Sequence, residues 1–228
     1  MFGISKAQAG KWLRRMTRPA VLGTLRRTSP LSDVWGFDRG SAVDRFYIES
    51  FLTEYRRDIT GRTLEMQDSG YTKLYGEGVT QGDVLDIDSS NQEATLIADL
   101  CAADHLPSDA FDCFILTQTL QLIYDTRAAI RHAYRILRPG GVLLVTVPAV
   151  SRMVPDTKDY WRYTQDSCAR LFEEAFGREN TTVRSYGNVL TCIAFLTGMA
   201  SEELSSEELR RNDEAFPLII AIRAVKST

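Results

Sequence analysis

Apolar residues recur at helical spacing in the chain, and the clearest case opens the region that follows residue 40. Val43, Phe46, Tyr47 and Phe51 fall on one side of a helical projection of Ser41–Ile59, so we expect an amphipathic helix with Ser41 as its N-cap. A 3.6-residue period also marks Thr126–Leu137. Two further helices are expected in the C-terminal half, at Gln165–Ala175 and Val189–Met199.

Short apolar runs bounded by Gly, Asp, Ser or Pro alternate with these helices and predict strands. The predicted strands are Thr63–Met66, Thr80–Ile87, Ala94–Asp99, Phe111–Thr117, Gly141–Val147, Thr181–Tyr186 and Phe216–Val225. Several runs are continuously apolar, which indicates strands covered on both faces. The pattern therefore predicts an α/β fold: a single domain with an open, mostly parallel sheet and helices on both faces.

In such sheets ligands bind outside the carboxyl ends of the strands. The search for functional residues therefore reduces to the loops that follow Met66, Ile87, Asp99, Thr117 and Val147.

Composition sets the class of protein. The 228 residues are 44% hydrophobic and 25% charged, which fits one globular domain and excludes a disordered or fibrous chain. The longest apolar run, Val142–Val150, falls well short of the roughly 20 residues that a membrane-spanning helix needs. Four cysteines without paired spacing and two histidines form no recognisable metal site, so free thiols and a cytoplasmic location are expected.

Charge is distributed unevenly along the chain. Seven of the first thirty residues are Lys or Arg and none is acidic, although the whole chain has a net charge of −3. This basic arm has three interpretations: a targeting peptide, a helix whose Trp12, Leu13 and Met16 bind a membrane surface or an acidic partner, or a solvated tail. We therefore expect a basic arm and lead-in segment at 1–40 and the α/β domain at 41–228.

Two spaced motifs carry a family resemblance. Leu106-Pro107-Ser108-Asp109-Ala110-Phe111-Asp112 leads into an apolar strand, and Arg135-Ile136-Leu137-Arg138-Pro139-Gly140-Gly141 joins a helix to the next strand. From about Gly61 onwards the chain resembles the class I S-adenosylmethionine-dependent methyltransferases. The resemblance implies a Rossmann-like sheet of seven strands, an N-terminal helical extension and S-adenosyl-L-methionine as cofactor.

The resemblance also implies a set of cofactor-binding residues. In the loop after the first strand, Glu65 would orient the loop and Asp68 would face the ammonium group of the cofactor. Gly70 would allow a close backbone approach, and Gln67 and Ser69 stand where the family has glycines. The cofactor-binding residues expected by this comparison are Tyr47, Glu65, Gln67, Asp68, Gly70, Asp83, Asp99, Leu100 and Gln118.

Four of these positions have a specific expected role. An acid after the second strand would accept the two ribose hydroxyls, and Asp83 is preferred over Asp86 and Asp88. Asp99 and Leu100 would meet the adenine ring. Gln118 follows the fourth strand, where the family turns from cofactor to substrate.

Substrate residues are expected beyond this point. Gln121 follows the fourth strand, and Trp161 and Arg162 lie in the aromatic cluster Asp159–Thr164, which suits a glycan or an anionic acceptor. Equally, Trp161 could fill the core while Arg162 pairs with a nearby acid. Arg39 would contact the substrate from the lead-in segment; with Asp44, Arg45 and Tyr47 it could form a lid, although helix capping and surface pairing explain these residues as well.

These observations predict metal-independent methyl transfer to an oxygen of a sugar or secondary metabolite, with Asp125, Asp159 and Tyr160 as candidate proton acceptors. The acidic chain beyond residue 30 argues against a nucleic-acid partner. The missing glycines leave open a catalytically silent binding or scaffold protein. A nicotinamide oxidoreductase is disfavoured because no GxGxxG follows the first strand.

Overall fold

A computed structural model describes residues 6–17, 20–154 and 157–228. The chain divides into two compact units, Met1–Pro30 and Leu31–Thr228. The first contains helix α1 (Lys6–Thr17) and a short 3-10 turn at Gly23–Leu25. The division falls ten residues earlier than the boundary at 40/41 expected from sequence, because the lead-in segment bonds to the second unit: Leu31 N donates to the Thr197 carbonyl, and Arg39 pairs with Glu203.

The second unit alternates strands and helices. Its helices are α2 (Val43–Glu54), α3 (Gly70–Tyr75), α4 (Thr126–Ile136), α5 (Gln165–Phe176), α6 (Val189–Thr197) and α7 (Ser206–Arg210). Its strands are β1 (Gly61–Met66), β2 (Val79–Asp86), β3 (Leu96–Ile97), β4 (Phe111–Thr117), β5 (Leu137–Pro148), β6 (Thr181–Tyr186) and β7 (Ile219–Val225).

The seven strands form one sheet in the order β3-β2-β1-β4-β5-β7-β6. Strands β1 to β5 pair in parallel, and β7 runs antiparallel to both β5 and β6. The predicted Rossmann-like, mostly parallel sheet of seven strands is therefore confirmed.

Helices cover both faces of the sheet because side chains along each strand alternate between two apolar clusters. In β4, Phe114 and Leu116 join the cluster that α4 and α5 cover, whereas Cys113 and Ile115 join the cluster that α2, α6 and α7 cover. Burial on both faces explains why these strands read as continuous apolar runs in the sequence.

Three local features differ from the sequence expectations. The N-cap of α2 is Ala42 rather than Ser41, whose backbone N–H is bound by the Glu202 carboxylate. Helix α3 was not predicted, since its six residues are too few to show a period. Strand β3 is two residues long instead of Ala94–Asp99, and the segment 87–95 before it contains no helix.

No helix within 6–17, 20–154 or 157–228 is both long and apolar enough to span a membrane. In those same ranges no group of three or more His, Cys, Asp or Glu side chains is arranged to hold a metal ion.

Tyr163 joins the loop after β5 to the loop after β4. Its hydroxyl donates to the Leu120 carbonyl at 3.0 Å and lies 3.2 Å from Thr126 Oγ1, and burial raises its pKa to about 12. An unfolded tyrosine ionises near pH ~10, so between pH ~10 and ~12 the folded chain holds the proton more tightly and stability falls as pH rises.

We therefore expect Tyr163→Phe to cost about 1 kcal/mol at neutral pH. We also expect the variant to lose stability less steeply than the wild type above pH ~10. Urea unfolding at neutral pH and at pH ~10.5 measures both effects, and parallel alkaline slopes in the two proteins would contradict the assignment.

Candidate functional site

The carboxyl ends of the parallel strands meet at one edge of the sheet. Strands β1, β2, β4 and β5 end there at Met66, Asp86, Thr117 and Pro148. Adjacent strands are in register near their ends, since Met66 lies beside Leu85 and Thr117 beside Thr146. The loops that the sequence analysis singled out therefore gather along this edge.

Glu65 organises the loop after β1. Its side chain is buried, and its two oxygens accept hydrogen bonds from Tyr71 N at 2.9 Å and Thr72 N at 2.8 Å. These amides belong to the first turn of α3, which has no earlier carbonyl to bind. Burial raises the pKa of Glu65, and the two amide donors partly oppose that shift. Glu65 thus fixes the direction in which the chain leaves β1.

Gln67 takes the backbone conformation that a glycine would favour. Its φ is +68°, its N–H donates to the Leu85 carbonyl, and its carbonyl accepts from Asn91 Nδ2 at 2.7 Å. Asp68 Oδ1 accepts from Gly70 N at 2.7 Å, and Gly70 itself has no left-handed φ. The loop therefore keeps a left-handed residue without a glycine, at a cost of about 1–2 kcal/mol.

Asp83, the acid preferred for the ribose, lies in the middle of β2 rather than at its end. It pairs with Leu64 in the register, is buried, and accepts from Arg62 Nε at 2.7 Å and Thr95 Oγ1 at 3.1 Å. Strand β2 continues for three residues beyond Asp83, and the predicted strand Thr80–Ile87 also extends past it, so Asp83 is not the acid at the carboxyl edge. Asp83, on β2, thus links Arg62 of β1 and Thr95, which directly precedes β3.

Asp86 is the acid that ends β2 at the carboxyl edge. It is half-buried, its Oδ1 accepts from Asp88 N at 3.0 Å, and its Oδ2 accepts from Asn91 Nδ2 at 2.7 Å. Asn91 also binds the Gln67 carbonyl, so it links the loops after β1 and β2. Asp86 was considered in the sequence analysis but not preferred, and Asn91 was missed because nothing in a lone asparagine signals such a bridge.

Asp99 and Leu100 follow β3 at the same edge. Asp99 lies two residues beyond the strand, is exposed, and accepts from Cys101 N at 2.9 Å. Leu100 is buried in the cluster beneath α4 and α5. The structure thus brings an exposed carboxylate, rather than a strand residue, to the position expected to face adenine.

Gln118 and Gln121 follow β4. Gln118 has a φ of +46°, and its N–H donates to the Thr146 carbonyl at 2.8 Å. Gln121 is buried and donates through Nε2 to the Gln118 carbonyl at 2.7 Å, while its Oε1 is buried without a hydrogen-bond partner among the described residues. A buried hydrogen-bond acceptor without a donor costs free energy, so this amide oxygen is a candidate to bind a ligand donor.

Two of the candidate proton acceptors have structural partners. Asp125 is the N-cap of α4 and accepts from Ala128 N at 2.9 Å. Asp159 is gripped by Arg162 through bonds of 2.6 and 2.9 Å, and this guanidinium lowers the pKa of Asp159. A carboxylate with a lowered pKa is a weak base, so Asp159 is better explained by its pairing with Arg162. Asp125 is better explained by its capping role.

Arg162 stabilises the loop after β5 through several hydrogen bonds. Besides Asp159, its guanidinium donates to the Arg152 carbonyl at 2.9 Å and the Trp161 carbonyl at 2.8 Å. Of the two alternatives left by the sequence, pairing with a nearby acid is the one observed for Arg162. Trp161 is 40% exposed and therefore does not fill the core.

The lid candidates separate into two groups. Arg39 forms a two-bond ion pair with Glu203, and the Tyr47 hydroxyl donates to the Leu209 carbonyl at 2.8 Å within the core under α7. Both side chains therefore have partners in the C-terminal part of the chain rather than in the loop after β1. Arg45 instead contacts the Tyr71 hydroxyl beside that loop, and the adjacent Asp44 has a buried oxygen without a hydrogen-bond partner among the described residues.

The region around this edge matches known proteins. Residues 71–145 match the family model of a methyltransferase domain. Over 67 residues the chain is 34% identical to the ubiquinone/menaquinone biosynthesis C-methyltransferase of Enterobacter sp. (strain 638), which is 29% of this chain and 27% of that protein. The chain thus matches about a quarter of the length of this curated relative.

Solved methyltransferases share the fold at low identity. The phosphoethanolamine N-methyltransferase 2 of Haemonchus contortus, in complex with phosphomonomethylethanolamine and S-adenosylhomocysteine, superposes with a TM-score of 0.55 at 15% identity, over 80% of this chain and 53% of that one. An S-adenosylmethionine-dependent methyltransferase from Mesorhizobium loti gives 0.52 at 16% identity, over 84% of this chain and 100% of that one.

Residues 71–145, about a third of the chain, match a methyltransferase domain, and the whole sheet has the fold of solved S-adenosylmethionine-dependent methyltransferases. The predicted resemblance to the class I methyltransferases, whose cofactor is S-adenosyl-L-methionine, is therefore confirmed.

Proposed function

We propose that this protein transfers a methyl group from S-adenosyl-L-methionine to an oxygen of a small-molecule acceptor, a sugar or a secondary metabolite. The observation that supports it best is the set of carboxylates at the ends of three neighbouring strands: Asp68 after β1, Asp86 as the last residue of β2 and Asp99 after β3. Carboxylates suit the ammonium, ribose hydroxyls and adenine amino group of this cofactor, because each of those groups donates hydrogen bonds.

The residues present fit the cofactor. Gln67 supplies the left-handed turn in the loop after β1, and the exposed side chains of Ile87 and Ile97 add apolar surface beside Asp86 and Asp99. We assign Glu65, Gln67, Asp68, Gly70, Asp86, Asp99, Leu100 and Gln118 to cofactor binding. When bound, the cofactor supplies a methyl group activated by sulfonium charge, and this chain's own residues hold and align the reactants.

The acceptor side is proposed for the loops after β4 and β5. Gln121 Oε1 is a free hydrogen-bond acceptor among the described residues. A hydroxyl of the methylated substrate could donate to it after a small side-chain shift. Of the three candidate proton acceptors, Tyr160 remains, since Asp125 and Asp159 are engaged structurally. Its ring is 41% exposed. Alignment rather than strong base catalysis would then provide most of the rate.

The proposed function is tested by isothermal titration of the purified protein with S-adenosylmethionine and, separately, with S-adenosylhomocysteine. We expect binding of both at micromolar concentrations and an increase of the melting temperature with ligand, as mass action requires. If neither binds, the proposal fails and the alternative of a catalytically silent scaffold, motivated by the missing glycines, takes its place.

The choice between two acids gives a sharper prediction. We expect Asp86→Asn to weaken S-adenosylhomocysteine binding by about 1–3 kcal/mol, because the amide replaces an oxygen acceptor with a donor. Asp83→Asn serves as the matched control: it should lower the free energy of unfolding through loss of the Arg62 pair and leave the affinity unchanged. Titration and urea unfolding of both variants decide the assignment. If Asp83→Asn weakened binding and Asp86→Asn did not, Asp83 would be the ribose ligand.

A further inference from the structure

A surface cleft of about 370 Å³ lies beside the proposed acceptor site. It is bounded by the start of α4, the start of α5 and the segment that joins β5 to α5. Its lining includes Tyr124, Arg127, Trp161, Ser167, Arg170 and Leu171. Because α4 and α5 follow β4 and β5, both helices begin near the carboxyl ends of those strands, and the cleft opens close to that edge of the sheet.

Three aromatic rings are clustered and exposed at this cleft. Tyr124 is 70% exposed, and its ring lies 6.0 Å from that of Trp161 at an interplanar angle of 27° and 5.3 Å from that of Tyr160. The indole is fixed in place, since Trp161 Nε1 donates to the Ile123 carbonyl at 3.0 Å. A contiguous group of exposed, oriented rings is unusual on a free surface and marks a binding site.

The charges around the cleft are balanced. Arg127 and Arg170 share the carboxylate of Glu174, and Asp125 carries a further negative charge at the start of α4. Arg162 is neutralised by Asp159. With no surplus of either sign, the cleft lacks the concentrated positive field that an anionic ligand would select. It instead presents both donors and acceptors next to apolar rings.

Those properties match a neutral saccharide. One face of a pyranose ring carries C–H groups that pack on an aromatic plane, and its rim carries hydroxyls that both donate and accept hydrogen bonds. We infer that the cleft between Tyr124 and Arg170 is a saccharide-binding subsite, which holds a sugar unit of the acceptor distant from the unit that is methylated. The inference rests on the proposed function for its link to catalysis.

The cleft is joined directly to the proposed acceptor site. The backbone N–H groups of Tyr160 and Trp161 both donate to the Gln121 carbonyl, at 2.8 and 3.3 Å. The backbone of Tyr160 and Trp161 is therefore bonded to Gln121, whose Oε1 has no hydrogen-bond partner among the described residues. A sugar bound on Trp161 would lie at the side of that segment, so an acceptor of more than one sugar unit can span both sites.

Direct binding tests this inference without any methyl transfer. Wild-type protein is titrated with neutral hexasaccharides of glucose (α- and β-linked), xylose, mannose and N-acetylglucosamine, and binding is followed by tryptophan fluorescence and by calorimetry. We expect at least one to bind, with Tyr124→Ala weakening its affinity about tenfold through loss of ring stacking. Phe216→Ala, which removes an exposed ring that does not line the cleft, should leave the affinity unchanged.

Failure of the inference and failure of the proposed function give different results. If no hexasaccharide binds, or if Tyr124→Ala binds as tightly as wild type, the saccharide subsite is overturned even when S-adenosylhomocysteine binds normally. If a saccharide binds and S-adenosylhomocysteine does not, the subsite stands and the methyl-transfer proposal falls. Trp161→Phe keeps a ring at the second position, so retained binding in that variant supports stacking over a general loss of fold.

Discussion

Replacing Glu65 with alanine is expected to abolish detectable binding of S-adenosylhomocysteine and to lower the free energy of unfolding by about 2–4 kcal/mol. The buried carboxylate accepts from the amides of Tyr71 and Thr72, and alanine leaves both donors without a partner. The first turn of α3 would then lose the group that holds it against β1. The loop that carries Asp68 and Gly70 starts and ends at these contacts, so its geometry depends on them.

Urea unfolding and calorimetric titration measure the two effects separately. Glu65→Gln is the graded variant, because it keeps one oxygen acceptor and should fall between alanine and the wild type in both measurements. Glu214→Ala removes an exposed carboxylate that accepts from no amide among the described residues, and it should change neither quantity. Glu65→Ala protein that remains folded and binds S-adenosylhomocysteine normally would show that the loop holds its shape without this residue.

Continuous apolar runs were the most reliable signal in the sequence. Strand β4 has the predicted bounds, because burial on both faces leaves a continuous apolar run with clear turn residues at each end. Strand β6 also has the predicted bounds, although its sequence TTVRSY is mostly polar. Helix α4 also begins at the predicted residue, since its apolar period is strong and Asp125 caps it. The strand order was not predicted, because periodicity does not determine it.

Strand bounds were predicted less accurately than the strands themselves. Asp83 and Asp86 both lie inside the predicted strand Thr80–Ile87 and inside β2, so the preference for Asp83 rested on its distance from the first strand and not on a strand end. The third strand was predicted too long, because Thr95 and Asp99 read as strand residues although they belong to the flanking loops. That error falls at an element boundary, where pattern arguments are weakest.

Side-chain partners were a second missing signal. Tyr47 and Arg39 are of the residue types that bind ligands, yet their partners Leu209 and Glu203 lie more than 160 residues away in the chain. Tyr124 was overlooked because a lone tyrosine in a loop carries no pattern, and its stacking on Trp161 joins residues 37 positions apart. Asp159 and Arg162, by contrast, are three residues apart, so their pairing could be expected from the sequence, and it is observed.

Removing Arg162 is expected to be among the most destabilising single changes in the chain. The Asp159 side chain is only 1% exposed, so Arg162→Ala would leave a buried carboxylate without its counter-charge, at a cost of about 3–5 kcal/mol. The carbonyls of Arg152 and Trp161 would lose the same donor. Arg170→Ala is the control: its side chain is 80% exposed and pairs with Glu174 at the surface, where such pairs contribute about 0–1 kcal/mol.

A double-mutant cycle with Asp159→Ala isolates the pair, and we expect a coupling energy of about 1–3 kcal/mol in urea unfolding. The pH dependence has a definite sign. Arg162 lowers the pKa of Asp159, so the stability from the pair is present above the unfolded value of about 3.9 and is lost as pH falls through the folded value. The gap between wild type and Arg162→Ala should therefore narrow in acid. If Arg162→Ala kept full stability but lost affinity for the acceptor, the arginine would instead be a substrate ligand, as its aromatic surroundings first indicated.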